Sequence, residues 1–76
     1  MEPEKVKQFI EAGLPGARVE VTGDGRHFEA LVVSEAFEGK SLVQRHRMVM
    51  DTVNEQIVSD ELHALSIKAK TQAEEG

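Results

Sequence analysis

The residues of this 76-residue chain best suited to chemistry are its three histidines, His27, His46 and His63. A neutral imidazole offers a nitrogen lone pair to a metal, and it exchanges a proton near its ordinary pKa of about 6.5. His27 and His63 stand 36 positions apart, which is not a metal-ligand spacing in its own right. Taken alone, they read as readily as surface or capping residues. His46 lies three residues before Val49 and four before Met50, beside an apolar stripe. It reads as a half-buried structural histidine and not as a ligand. There is no cysteine, hence no disulfide, no thiolate nucleophile and no thiolate ligand from this chain. Ser34, Ser41, Ser59 and Ser66 sit in no nucleophile elbow. Gly23-Asp24-Gly25 is too short for a phosphate loop and reads as a hairpin turn. The residues therefore give no catalytic constellation, and the expectation is a protein that is not an enzyme.

Charge adds a second constraint. Nine basic and fourteen acidic residues leave a net charge of −5. Nucleic-acid affinity comes mainly from neutralised phosphates, so an acidic domain starts at a disadvantage. Residues 40–47 nevertheless carry Lys40, Arg45, His46 and Arg47 without an acid among them. Lys40, Arg45 and Arg47 are thus a candidate partner or nucleic-acid surface. In a helix Arg45 and Arg47 diverge by about 200°, so they do not form one flat patch. Three phenylalanines with no tyrosine or tryptophan offer little for base stacking. There is also no Gly-x-x-Gly loop of the kind that grips single strands. Charges at Glu2, Glu4, Lys5, Lys7 and Glu11 interrupt any apolar leader. No run approaches the ~20 apolar residues of a membrane span. A soluble cytoplasmic protein is expected.

The elements that must position these residues follow from periodicity. Val6, Phe9 and Ile10 share one helical face, Pro3 suits a first turn, and Gly13 with Pro15 supplies a stop, predicting a helix over 3–13. Residues 18–22 alternate as a half-buried strand. Gly23-Asp24-Gly25 turns the chain, and residues 27–33 return as a strand that becomes fully apolar. Ser41 caps a second helix running to about residue 55, with a stripe of Leu42, Val43, His46, Val49, Met50 and Val53. Residues 56–61 suggest a short extra helical turn, and residues 62–68 a third strand. The link between strands 2 and 3 is long enough for a crossover joining parallel strands. The order α-β-β-α-(α)-β gives an α+β fold, a three-stranded mixed sheet with helices on one face. Its core candidates are Val6, Phe9, Ile10, Val19, Val21, Phe28, Ala30, Val32, Phe37, Val43, Val49, Met50, Val53, Leu65 and Ile67. One domain covers 1–70, and the polar tail 71–76 is expected to fray.

The run Phe37-Glu38-Gly39-Lys40-Ser41-Leu42-Val43-Gln44-Arg45-His46-Arg47 matches a Phe-x-Gly-x5-Arg-His-Arg signature. With His27-Phe28-Glu29 before Val32-Val33-Ser34-Glu35, and with Leu62-His63-Ala64-Leu65, it resembles the BolA family over about residues 4–68. Within that family it is most similar to the short bacterial IbaG-type branch. It carries histidine where other branches have cysteine before strand 2. The resemblance implies a class II KH-like fold, with Phe37, Gly39 and His46 as structural parts of the signature.

The resemblance also implies partnership and not catalysis. BolA-like proteins pair with monothiol glutaredoxins of the Cys-Gly-Phe-Ser type and share a bridging [2Fe–2S] cluster in iron–sulfur trafficking or redox and stress regulation. The glutaredoxin cysteine and a glutathione hold one iron. The BolA-like partner supplies two ligands at positions that match His27 and His63 here. No cluster is expected in the isolated apo protein. Strand alternation puts His27 with Glu29 but His63 with Leu65 and Ile67, so the rings converge only if the chain bends there or His63 precedes the strand. The alternative reading is a DNA-binding transcriptional regulator acting through helix 2.

Overall fold

The computed structural model describes the backbone of residues 2–58 and 64–75, and the side chains of 2–54 and 65–75. The elements are α1 (Pro3–Gly13), β1 (Arg18–Gly23), β2 (His27–Val33), a 3-10 turn (Glu35–Phe37), α2 (Leu42–Val58), β3 (Ala64–Lys70) and α3 (Gln72–Glu75). The sheet order is β1-β2-β3, antiparallel between β1 and β2 and parallel between β2 and β3. It is the mixed three-stranded sheet that periodicity implies. The strand expected over 62–68 is Ala64–Lys70 among the described residues, and positions 62 and 63 lie outside them. The extra turn expected over 56–61 is, as far as Val58, a continuation of α2, and the rest lies outside the described residues.

One layer of helix covers one face of the sheet. Val6 and Ile10 of α1 and Val49 and Val53 of α2 meet Val19, Phe28, Ala30 and Val32 of the strands, all nearly or fully buried. Phe9, Val21, Leu65 and Ile67 pack against that cluster as expected, joined by Met48. Gly13 closes α1 where it crosses α2, and a Cβ there would collide with the Thr52 side chain.

The passage from β2 to α2 is built tightly. Ser34 accepts a hydrogen bond from the Ala36 N–H at 3.1 Å and so caps the 3-10 turn. Glu38 at φ −57°, ψ 128°, followed by Gly39 at φ 74°, makes a type II turn, closed by the Lys40 N–H donating to the Phe37 carbonyl at 3.0 Å. Phe37 is fully buried just before it. Ser41 and Gln44 then form a reciprocal capping box. The Gln44 N–H donates to Ser41 Oγ at 3.1 Å, and the Ser41 N–H donates to Gln44 Oε1 at 2.9 Å.

Two expectations for α2 are corrected. The stripe that faces the core is Arg45, Val49 and Val53, at spacing i, i+4, i+8. Val43 is therefore 67% exposed instead of buried, Leu42 is 76% exposed, and Met50 is only half-buried. His46, about 100° round the helix from Arg45, is exposed and does not pack in the core. The tail also differs from expectation. Lys70 remains in β3, Thr71 is buried, and Gln72–Glu75 forms a helical turn tied to α2.

Candidate functional site

His27 opens β2, and the preceding turn fixes its backbone. Asp24 Oδ1 accepts hydrogen bonds from the N–H groups of both Arg26 and His27 at 2.9 Å. Those bonds, the His27 N–H first and the Arg26 N–H second, hold the Asp24 carboxyl below its ordinary pKa. The His27 side chain is exposed, on the sheet face opposite the helices and shared with Glu29. In the parallel register His27 pairs with Ala64 and Phe28 with Leu65. His63 lies outside the described residues, but its sequence neighbour Ala64 is the residue beside His27. Among the described residues, no three His, Cys, Asp or Glu side chains cluster as a metal site. The sequence reads Gly23-Asp24-Gly25 only as a turn, and the structure adds the Asp24 bonds that set the His27 backbone. An aspartate two and three residues before the groups it accepts is the local signal for them.

The basic run divides between inside and outside. Arg45 is 7% exposed, so its guanidinium is turned into the protein and not outward with Lys40 and Arg47. Its Nε donates to the Lys40 carbonyl at 2.9 Å and its Nη1 to the Ala69 carbonyl at 3.2 Å. Its two terminal nitrogens grip Glu74 at 2.6 and 3.1 Å. The guanidinium also stands 6.0 Å from the Phe37 ring centre, within cation–π range. Glu74 is set in turn by the Thr71 N–H, which donates to Oε1 at 2.9 Å. The Arg45 hydrogen bond first, and the Thr71 N–H second, pull the Glu74 carboxyl down from 4.5 to about 2. The same Glu74 bond raises the Arg45 pKa. Arg45 thus latches α2, the end of β3 and α3 together. Lys40 and Arg47 stay exposed, so two of the three expected cations lie on the surface.

Beside this latch the α2 surface is apolar. A groove of about 490 Å³ runs between Leu42, Arg45 and His46 on α2 and residues Ile67 to Lys70 of β3, with the Arg45-paired Glu74 of α3 at its end. It continues onto Val43, Arg47 and Met50. His46, expected to be structural, is a wall of both.

An α+β unit with a mixed three-stranded sheet, a Phe-Gly turn locked under a capped helix, and a buried arginine in Arg-His-Arg defines a recognisable class. The family model of the BolA-like protein matches residues 10–74, and the chain belongs to that family. It is 38% identical over 74 residues to the acid stress protein IbaG of Escherichia coli K12, covering 97% of this chain and 88% of that protein. It is 48% identical over 67 residues to SufE-like protein 1 of Arabidopsis thaliana, but it spans only 18% of that longer protein. Among solved structures, a bolA protein homologue from Coxiella burnetii superposes with a TM-score of 0.89 at 42% identity, covering 99% of this chain and 96% of that one. The BolA domain of SufE1 from Arabidopsis thaliana gives 0.82 at 38% identity, covering 95% and 93%. Among the described residues, no helix is long and apolar enough to cross a membrane.

Proposed function

We propose that this chain is a non-enzymatic partner of a monothiol glutaredoxin, with which it shares a bridging [2Fe–2S] cluster in iron–sulfur trafficking or iron and redox regulation. The observation that carries the reading is the register: exposed His27 lies beside Ala64, the residue that follows His63 in the chain. In this reading His27 and His63 are the chain's two ligands, and the partner's cysteine and glutathione are the others. Replacing two thiolates by two imidazoles on one iron lowers its negative charge and raises the reduction potential. On the chain's side, the Asp24 turn fixes the backbone of His27 before any partner arrives. The exposed α2 face and β3 supply the protein contact. The name of the IbaG relative, an acid stress protein, supports a stress-linked role.

The test is co-purification with a monothiol glutaredoxin under anaerobic conditions, with iron and labile sulfide measured. Two irons and two sulfides per heterodimer are expected, by the composition of the cluster. A stable heterodimer that stays free of iron would leave a scaffold role without a cluster.

A further inference from the structure

We propose that the open edge of β3 accepts an extended segment of a partner protein as a fourth strand, one that alternates apolar and acidic residues. This deepens the partner contact proposed above and rests on that reading for where a partner meets the chain. The recognition chemistry itself comes from the edge.

β3 pairs only with β2 among the described residues, so its other side is an edge. Successive residues of a strand direct their peptide groups to opposite sides. The Lys70 carbonyl accepts from the Ser34 N–H at 2.9 Å, on the β2 side. Leu65, Ile67 and Ala69 therefore present their N–H and C=O groups to the open side. The Ala69 carbonyl is taken by Arg45, which ends the available edge at that point. An incoming strand can thus pair along Leu65 and Ile67 and stop at the latch.

The surroundings set what such a strand must carry. Side chains on its inner face enter the groove against Leu42 and His46, where Val43 and Met50 extend the apolar surface. Side chains on its outer face lie beside Lys68 and Lys70, on the face that β2 lines with Glu29 and Leu31. Apolar residues inward and carboxylates outward satisfy both at the period of two that a strand imposes. A second copy of this chain fits poorly, because two β3 edges would bring lysines against lysines.

The probe is the peptide acetyl-Glu-Val-Glu-Val-Glu-Val-amide, titrated into the cluster-free, glutaredoxin-free protein and followed by amide NMR. Shifts centred on Ile67 and its β3 neighbours, with slowed solvent exchange of the Ile67 amide, are expected. Binding should weaken at least tenfold for the lysine counterpart, for acetyl-Val-Val-Val-Glu-Glu-Glu-amide, and for Leu42→Asp. Lys68→Glu with Lys70→Glu should reverse the preference between the glutamate and lysine peptides. Equal binding of the block-order peptide, shifts confined to α2, no binding at all, or self-association through β3 would each overturn the inference. Because neither iron nor glutaredoxin is present, a failed cluster experiment leaves this outcome unaffected, and the reverse also holds.

Discussion

Replacing Gly39 isolates one backbone torsion. At φ 74° the residue occupies the left-handed region of a type II turn, and a Cβ built there meets nothing within 4 Å. The cost of Gly39→Ala is therefore torsional and not steric, about 1–2 kcal/mol. Each kcal/mol lowers the melting temperature of a domain this small by about 4–8 °C, so a drop of roughly 4–16 °C is expected. With a urea slope of about 1–2 kcal/mol/M, the midpoint should fall by about 1 M. Asparagine tolerates the same region better, which makes Gly39→Asn the milder change. Valine, stiff at χ1, should be the worst of the three. Thermal and urea denaturation of the series, with glutaredoxin binding measured below the transition, is the assay. Ordered losses of stability with binding retained would show that the signature glycine shapes a turn. An alanine variant as stable as the parent, or one that folds normally and loses the partner, would refute the reasoning.

Other outcomes follow from the same contacts. Glu74 titrates at about 2 in the fold against 4.5 unpaired, so its pairing stabilises fully above pH 4.5 and is lost as pH falls toward 2. Acid denaturation of Glu74→Gln should lose that part of the pH dependence, and an unchanged profile would deny the latch. Ser41→Ala removes the α2 cap and should cost about 1 kcal/mol in urea melts. His46→Ala, on an exposed position, should move stability by no more than about 0.5 kcal/mol, where a packed histidine would cost several times that.

Helices α1 and α2 and the hairpin are legible because apolar residues recur at 3.6 and 2 and because Gly39, Ser41 and the Asp-Gly pair carry local turn chemistry, and the parallel β2–β3 pairing is legible because the link between the strands is long enough for a crossover. The facing of α2 was not. Hydropathy reads Arg45 as outside, yet its charge is met by Glu74, 29 residues later, so Arg45 faces inward with Val49 and Val53 while Leu42, Val43 and His46 face outward. The same pairing folds a C-terminal segment whose composition alone suggests fraying. No local pattern reveals a partner 29 positions away. The metal-ligand candidates show a similar limit. His27 and His63 have no spacing that signals a site, and it is the register that sets His27 beside Ala64. The Asp24 hydrogen bonds were within reach of the sequence, since they span only two and three residues.

The central claim is that His27 and His63 complete a shared cluster, and visible circular dichroism tests it most directly. Cluster-loaded monothiol glutaredoxin is mixed anaerobically with the parent, His27→Ala and His63→Ala, each first shown to be folded. The parent should change the spectrum on forming the heterodimer, and each variant should abolish or strongly alter that change. A parent that leaves the spectrum untouched, or a His63→Ala variant that reproduces the parent's, would contradict the account.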